Sequence, residues 1–331
     1  MSAIKPDELY KLTIQAAEEL MDLSNGLNDI NVFTETLRFI EEDSITKPSN
    51  QNSLLDEILI LAREPEYINP ENSLPQQSVN TMFMAMQYGL NYITSSKANL
   101  QTRERLELSI SALLSDFGLL DPELRAIDEK KGRLNLVEKY KLRNHPIKSA
   151  EMIGELDFTT VLDKKRIQLL VKQTHESIDG KGYPEGKPAN LISYEAKVIQ
   201  ILDAYESMTH ERPYRKGHLT PTKAIEALKI EADGHGFAGR MMSPKHLRQF
   251  MQCMPFYPRG TYLELSNGAI GEVTDYDSKN AMRPDLHIVY SPIKTTPYMN
   301  VDSDVQLSQR KEIKIMNEVS LKDVVDKLRW A

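Results

Sequence analysis

The stretch His175-Glu176-Ser177-Ile178-Asp179-Gly180-Lys181-Gly182-Tyr183-Pro184 packs a histidine, two acids, two glycines and a Tyr-Pro corner into one loop-like segment. An apolar segment carrying Asp203 follows, and then a basic cluster, Arg212, Arg215 and Lys216. Imidazole and carboxylate together suit divalent cations such as Fe, Mn or Zn. A guanidinium grips phosphate through paired hydrogen bonds, and an ammonium does so as a point charge. These residue types therefore point to a phosphate ester, held beside a metal if the ligands converge.

Each group also has a plainer use. His145, just before Pro146, can cap a helix, and His175 at a helix end suits the macrodipole. Asp116 near Gly118 can serve a helix C-terminus, and the basic cluster can be a solvated surface. Gly180 and Gly182 permit backbone conformations closed to other residues, and Tyr183 before Pro184 avoids the helical region. The loop is either a rigid pocket wall or a turn that fixes two helices. Asp203 is harder to dismiss. It shares a helix with Val198, Ile199, Ile201 and Leu202, and a buried acid needs a partner.

The elements that must position these groups are mostly helices. Leu9, Leu12, Ala16 and Leu20 recur at helical spacing after Pro6-Asp7-Glu8, and Asn25-Gly26 is expected to end that helix. Further helices are predicted near 32–41 and 54–62, with a polar loop over 47–53. A boundary rich in Pro, Asn and Glu is expected over 65–75. Beyond it, helices are predicted over 79–95, 103–116, 136–141, 147–154, 164–174, 194–209, 221–231 and 244–254. A bundle of this kind builds its sites from facing side chains. After Met254 the pattern changes to a hairpin around Asn267-Gly268 and a strand over 286–290. A terminal helix is expected after Ser320, with Leu321, Val324, Val325 and Leu328 on one face.

Composition bounds the function. The 331 residues are 40% hydrophobic and 27% charged, ordinary for a globular chain with room for two or three domains. A net charge of −7 argues against binding duplex nucleic acid, which needs a basic face. One cysteine, Cys253, leaves no internal disulfide, and the N-terminus lacks a signal-peptide core, so a cytoplasmic location is expected. No apolar run approaches the ~20 residues of a membrane span.

HESIDGKGYP followed by ILDAYESMTHERPYRKG resembles the HD-GYP group of the HD phosphohydrolase superfamily, over roughly 77–227. Tyr257-Pro258-Arg259-Gly260 through Arg283-Pro284 looks like the β-rich tail of some members. Members of the group hydrolyse cyclic di-GMP at a two- or three-metal centre. The resemblance implies metal ligands at Asp116, His145, His175 and Asp203, with Glu206 near a further acid of the pattern. It also implies Arg212 and Arg215 as supports of the structure or the nucleotide, and Asp179, Gly180, Gly182, Tyr183 and Pro184 as a loop that flanks the pocket or docks a diguanylate cyclase domain. The chain departs from the pattern at Ser73, Gln77, Ser115 and Thr174, where ligands are expected, and at Leu119, where a lysine would meet phosphate.

The sequence thus predicts a mainly α protein. N-terminal helices (1–71) precede an HD-type bundle (72–254) and a small β-rich tail with a terminal helix (255–331). The expected function is a degenerate HD-GYP signalling protein, a cyclic di-GMP effector or regulatory scaffold, that holds one divalent metal or none. Two alternatives stand beside it. One is a metal-dependent cyclic di-GMP phosphodiesterase or other phosphohydrolase on a reduced site, with Asp116 essential. The other is an interaction pseudoenzyme that binds neither metal nor nucleotide. A homodimer through the N-terminal helices is a further expectation.

Overall fold

The computed structural model describes residues 4–22, 29–47, 53–63, 73–95, 101–130, 132–158, 161–210, 217–235, 242–277, 280–292 and 299–329. Proline and two acids in the first turn open α1 (Pro6–Met21), which buries Leu9, Tyr10, Ala17 and Leu20. Its expected stop at Asn25-Gly26 lies outside the described residues. α2 (Asn31–Thr46) follows, then α3 (Leu54–Leu61), which starts on a capping box made by Ser53 and Asp56. α4 (Leu74–Ser95) is the axis of the bundle. Residues 81–89 are all buried, which an apolar-all-round helix requires, and α1, α5, α10 and α12 pack around it. The linker expected over 65–75 ends earlier than its composition suggests. Pro75 sits in the first turn of α4, where a missing N–H leaves nothing unpaired.

α5 (Thr102–Leu113) is shorter than predicted and gives way to a 3-10 turn over Phe117–Leu120. α6 (Pro122–Asp128) was not anticipated, although Asp121 caps it by accepting from Glu123 N and Leu124 N. α7 (Leu136–Leu142), α8 (His145–Glu155), α9 (Lys164–Lys172), α10 (Tyr194–Thr209), α11 (Pro221–Ala232) and α12 (Pro244–Cys253) match the remaining expectations to within three residues at either end.

The tail is a five-stranded antiparallel sheet, in the order β4-β3-β2-β1-β5. β1 (Tyr262–Leu265) and β2 (Ile270–Asp275) form the predicted hairpin, and β3 (Asp285–Tyr290) the predicted strand. β4 (Asp304–Gln306) and β5 (Ile315–Val319) close the two edges. In α13 (Leu321–Arg329) only Val324 of the four predicted apolar positions is buried, while Leu321, Val325 and Leu328 stay exposed. Arg283 donates to Leu307 O, Arg310 O and Ile313 O and so fixes the tail's own backbone. Arg63 donates to Phe256 O (3.2 Å) and Glu318 Oε1 (2.8 Å), and Arg259 Nη1 lies 3.7 Å from Asp56. Among the described residues no helix is long and apolar enough to cross a membrane.

Candidate metal centre

Three segments far apart in sequence meet at one point. Asp116 follows the end of α5, His145 opens α8, and His175 lies in the turn after α9. Their ligand atoms lie within 4.8 Å of one another, the one group of metal-ligand type among the described residues. The close approach depends on small residues. A Cβ on Gly118 would stand 2.2 Å from His145 O and 2.6 Å from Ser149 N. Ser149 Oγ accepts from Gly118 N (2.7 Å) and donates to Ser115 O (3.0 Å), which ties α8 to the turn that carries Asp116.

The plainer cap role fails for His145. Asn144, not His145, is the N-cap of α8, and His145 Nδ1 instead donates to Leu142 O at 2.9 Å. Asp116 makes no cap bond to the 3-10 turn. His175 lies beyond the last turn of α9, which ends at Lys172. His145 Nε2 and His175 Nε2 lie 3.3 and 3.7 Å from Asp116 Oδ1. Both nitrogens are buried and neither has a hydrogen-bond partner. Because Nδ1 holds a proton on Leu142 O, Nε2 is the His145 nitrogen left to meet the Asp116 carboxylate. A proton or a divalent cation between these groups satisfies the arrangement. The donor set, two imidazoles and one carboxylate, suits Fe, Mn or Zn.

Without a cation the electrostatics are those of an Asp116–His175 ion pair, whose place a metal would take. Burial opposes ionisation of Asp116, but the attraction of His145 and His175 holds its carboxyl far below the usual range. Burial also opposes the charged form of His175, yet Asp116, with a smaller contribution from Asp203, raises it above its ordinary value. Asp203 on α10 is half-buried and close enough to act on both His175 and Tyr183, but it stands outside the tight group of three. Glu206 is fully buried elsewhere on α10. It accepts from Asn80 Nδ2 (3.3 Å) and lies 3.6 Å from His210 Nδ1.

The positions that depart from the ligand pattern spend their polar groups on nearby protein groups. Gln77 Nε2 donates to Ser73 Oγ (2.6 Å), Ser115 Oγ to Ala112 O (3.0 Å) and Thr174 Oγ1 to Val171 O (2.9 Å). Leu119 lines the cleft and offers no donor.

The loop after His175 is held from beneath. Glu176, 2% exposed, accepts from Glu185 N and Lys187 N at 2.8 Å each. Its own carbonyl accepts from Gln200 Nε2 (2.8 Å). Asp179 accepts from Ser177 Oγ (2.6 Å) and Lys181 N (3.1 Å), so it shapes the turn. Gly180 has φ +74, as expected of a glycine turn. Gly182 has a different reason. Its φ is not positive, but a Cβ there would stand 2.2 Å from Ser177 N, so the loop could not close on itself. The Tyr183-Pro184 bond is cis. Tyr183 stacks on His175, with ring centroids 5.0 Å apart and planes 7° apart, and meets His145 edge-on at 6.0 Å. Burial, then the charges of Asp116 and Asp203, push the Tyr183 hydroxyl pKa up, so the ring serves as a neutral wall.

A cleft of about 360 Å³ opens over this centre. Asp116, His145, His175, Tyr183 and Leu119 line it, as do Asp128, Lys139 and Arg143, which the sequence did not single out. Arg212, Arg215 and Lys216, the predicted phosphate cluster, lie outside the described residues.

Residues 60–236 match the HD domain family, more than half of the chain. A cyclic di-GMP phosphodiesterase of Pseudomonas aeruginosa is 30% identical over 198 residues, which cover 58% of this chain and 43% of that protein. The cyclic di-GMP phosphodiesterase PdeB of Borreliella burgdorferi is 23% identical over 263 residues, 75% of this chain and 63% of its own length. The chain therefore spans less than two thirds of either relative. A solved HDG"Y"P protein from Bdellovibrio bacteriovorus overlays 74% of this chain and 70% of its own, at 15% identity and a TM-score of 0.47. The chain belongs to the HD domain family, and its intact Asp179–Pro184 loop marks it as the HD-GYP type.

Proposed function

We propose that this chain is a single-metal HD-GYP protein that binds a cyclic dinucleotide, cyclic di-GMP first, and is impaired in cutting it. One observation carries the reading. Two buried Nε2 atoms converge on the Asp116 carboxylate, and neither has a hydrogen-bond partner elsewhere. Asp116, His145 and His175 would hold one divalent ion, with Asp203 near enough to complete its surroundings. Such an ion supplies a Lewis acid for phosphate oxygens and a bound water of lowered pKa. The chain's own part is to orient these ligands. Leu142 O fixes the tautomer of His145, and the Tyr183 ring backs His175 and walls off one side of the cleft.

Impairment is supported by Gln77, Ser115 and Thr174, poor metal ligands whose polar groups bond locally and leave a second ion poorly supplied. The two relatives bear the name cyclic di-GMP phosphodiesterase, which favours that nucleotide as the ligand. In the same proposal the bundle (72–254) carries the centre, Arg212, Arg215 and Lys216 add cations to the nucleotide, and the outer segments (1–71 and 255–331) serve a protein partner or a second copy. A hydrolase running on the single ion is the second reading, favoured by the intact two-histidine, one-carboxylate set.

Titration of the Mn²⁺-loaded chain with cyclic di-GMP, followed by chromatography of the nucleotide, tests both. Saturable heat with nucleotide recovered intact supports the first reading. Turnover that stops on Asp116→Ala and on chelation supports the second. Neither heat nor turnover leaves a protein-interaction role.

A further inference from the structure

The cleft has lost a cation at Leu119 and has gained two from another element. Lys139 and Arg143 stand four residues apart, on α7 and at its C-cap, and so share one face. Both line the cleft. Several other cations around α7 lie beside carboxylates, although Arg133 does not. Lys141 lies 2.5 Å from Glu123, Lys130 lies 2.5 Å from Glu138, and Lys148 on α8 lies 3.5 Å from both Asp121 and Glu151. Among the described residues, neither Lys139 nor Arg143 pairs with a carboxylate. Arg143 instead lies over the Tyr183 ring, Cζ 5.5 Å from its centroid, which leaves its N–H fork open to a ligand.

Unpaired cations on a short exposed helix repel one another and gain nothing from the fold. Next to a centre that attracts phosphate oxygens they have a use. The cleft's carboxylates are Asp116 and Asp128, so a divalent ion at the centre would give the cleft a net positive charge. A planar fork and a point charge together suit the tetrahedral anion of a phosphate ester.

We propose that Lys139 and Arg143 form the anion clamp of this cleft and take the phosphate contact that Leu119 cannot make. The assignment rests on reading the cleft as a phosphate-ester site. It adds that affinity comes from α7, not from the turn beside the metal ligands, and so makes these two residues determinants of ligand choice. A ligand whose phosphate reaches α7 is selected over one whose phosphate sits only at the metal.

The test uses the full chain with Mn²⁺ in excess and two probes, inorganic phosphate and cyclic di-GMP, followed by calorimetric titration. Lys139→Ala and Arg143→Ala each weaken inorganic phosphate by about tenfold, the size of one charge-assisted hydrogen bond, and the double variant weakens it further. Both side chains are exposed, so melting temperature and Mn²⁺ content stay at the wild-type value. Leu119→Lys in the double variant restores part of the affinity, which a merely structural role would not allow. The salt dependence of binding flattens in the double variant. If the double variant binds phosphate as the wild type does, or the wild type binds none, the clamp is overturned. If phosphate binds through the pair while cyclic di-GMP does not bind, the clamp stands and the nucleotide reading falls.

Discussion

Replacing Glu176 tests how the loop is held. Its carboxylate is 2% exposed and accepts two backbone N–H bonds at 2.8 Å, from Glu185 and Lys187. A hydrogen bond to a charged acceptor contributes roughly 1.5–3 kcal/mol, so two lost bonds set an upper figure of roughly 3–6 kcal/mol. Glu185 is exposed and Lys187 half-buried, so water can reach both amides once the loop loosens, and Glu176→Ala should cost about 2–4 kcal/mol. Glu176→Gln keeps one acceptor oxygen and should lose about half of that. Urea unfolding of the metal-free protein at neutral pH reads this directly. A second effect follows from the stacking of Tyr183 on His175. When the loop loosens, the ring no longer backs the imidazole, and Mn²⁺ affinity should fall about tenfold, as when partners that orient a ligand are removed. An alanine variant within about 0.5 kcal/mol of wild type, with unchanged Mn²⁺ binding, would refute the reasoning, since a surface substitution does no more than that.

Other expectations concern groups away from the centre. Burial, helped by Lys197 and Lys245, lowers His246 from 6.5 to about 4. The unfolded chain therefore takes up this proton before the folded one. The stabilisation is complete above pH 6.5 and is lost as pH falls toward 4, by roughly 1–2 kcal/mol after solvent screening. Unfolding curves of His246→Gln across that range should lack this component. Arg105 Nε donates to Glu41 Oε1 at 2.8 Å, and both side chains are buried. Arg105→Met should cost about 3–5 kcal/mol by leaving the buried Glu41 carboxylate with only the Thr102 hydroxyl as donor, and adding Glu41→Leu should recover most of it, measured by urea denaturation. Gly182→Ala puts a Cβ 2.2 Å from Ser177 N, so about 3 kcal/mol or more should be lost together with Mn²⁺ binding.

The bundle was legible because its helices carry apolar residues at a clean period, as in Tyr194–Thr209, whose predicted limits match the structure. The hairpin was legible through Asn267-Gly268, where Gly268 has φ +77. β4 and β5 were not. Each is a short edge strand with mostly exposed residues, so neither shows an inward apolar alternation. Asp116, His145 and His175 could be singled out as residue types at suggestive spacings, but not as neighbours. Their meeting depends on Gly118 and Ser149, which carry no chemistry of their own. Glu176 looked like one acid among several in its stretch, and its role as a strap depends on amides nine and eleven residues on. Lys139 and Arg143 were missed because, in sequence, they sit among Lys130, Lys131, Lys141 and Lys148. What separates them is that they line the cleft without a carboxylate partner, which only the packing of α6 and α7 reveals. The signal that could have found them is their four-residue spacing just ahead of His145.

The central claim is one metal ion held by Asp116, His145 and His175. Elemental analysis of the chain, purified without oxygen or chelator and compared with Asp116→Ala, tests it most directly. The wild type should carry about one divalent ion per chain, by the count of one converged ligand set, and the variant almost none. Two tightly bound ions per chain, or equal metal content in both proteins, would contradict it.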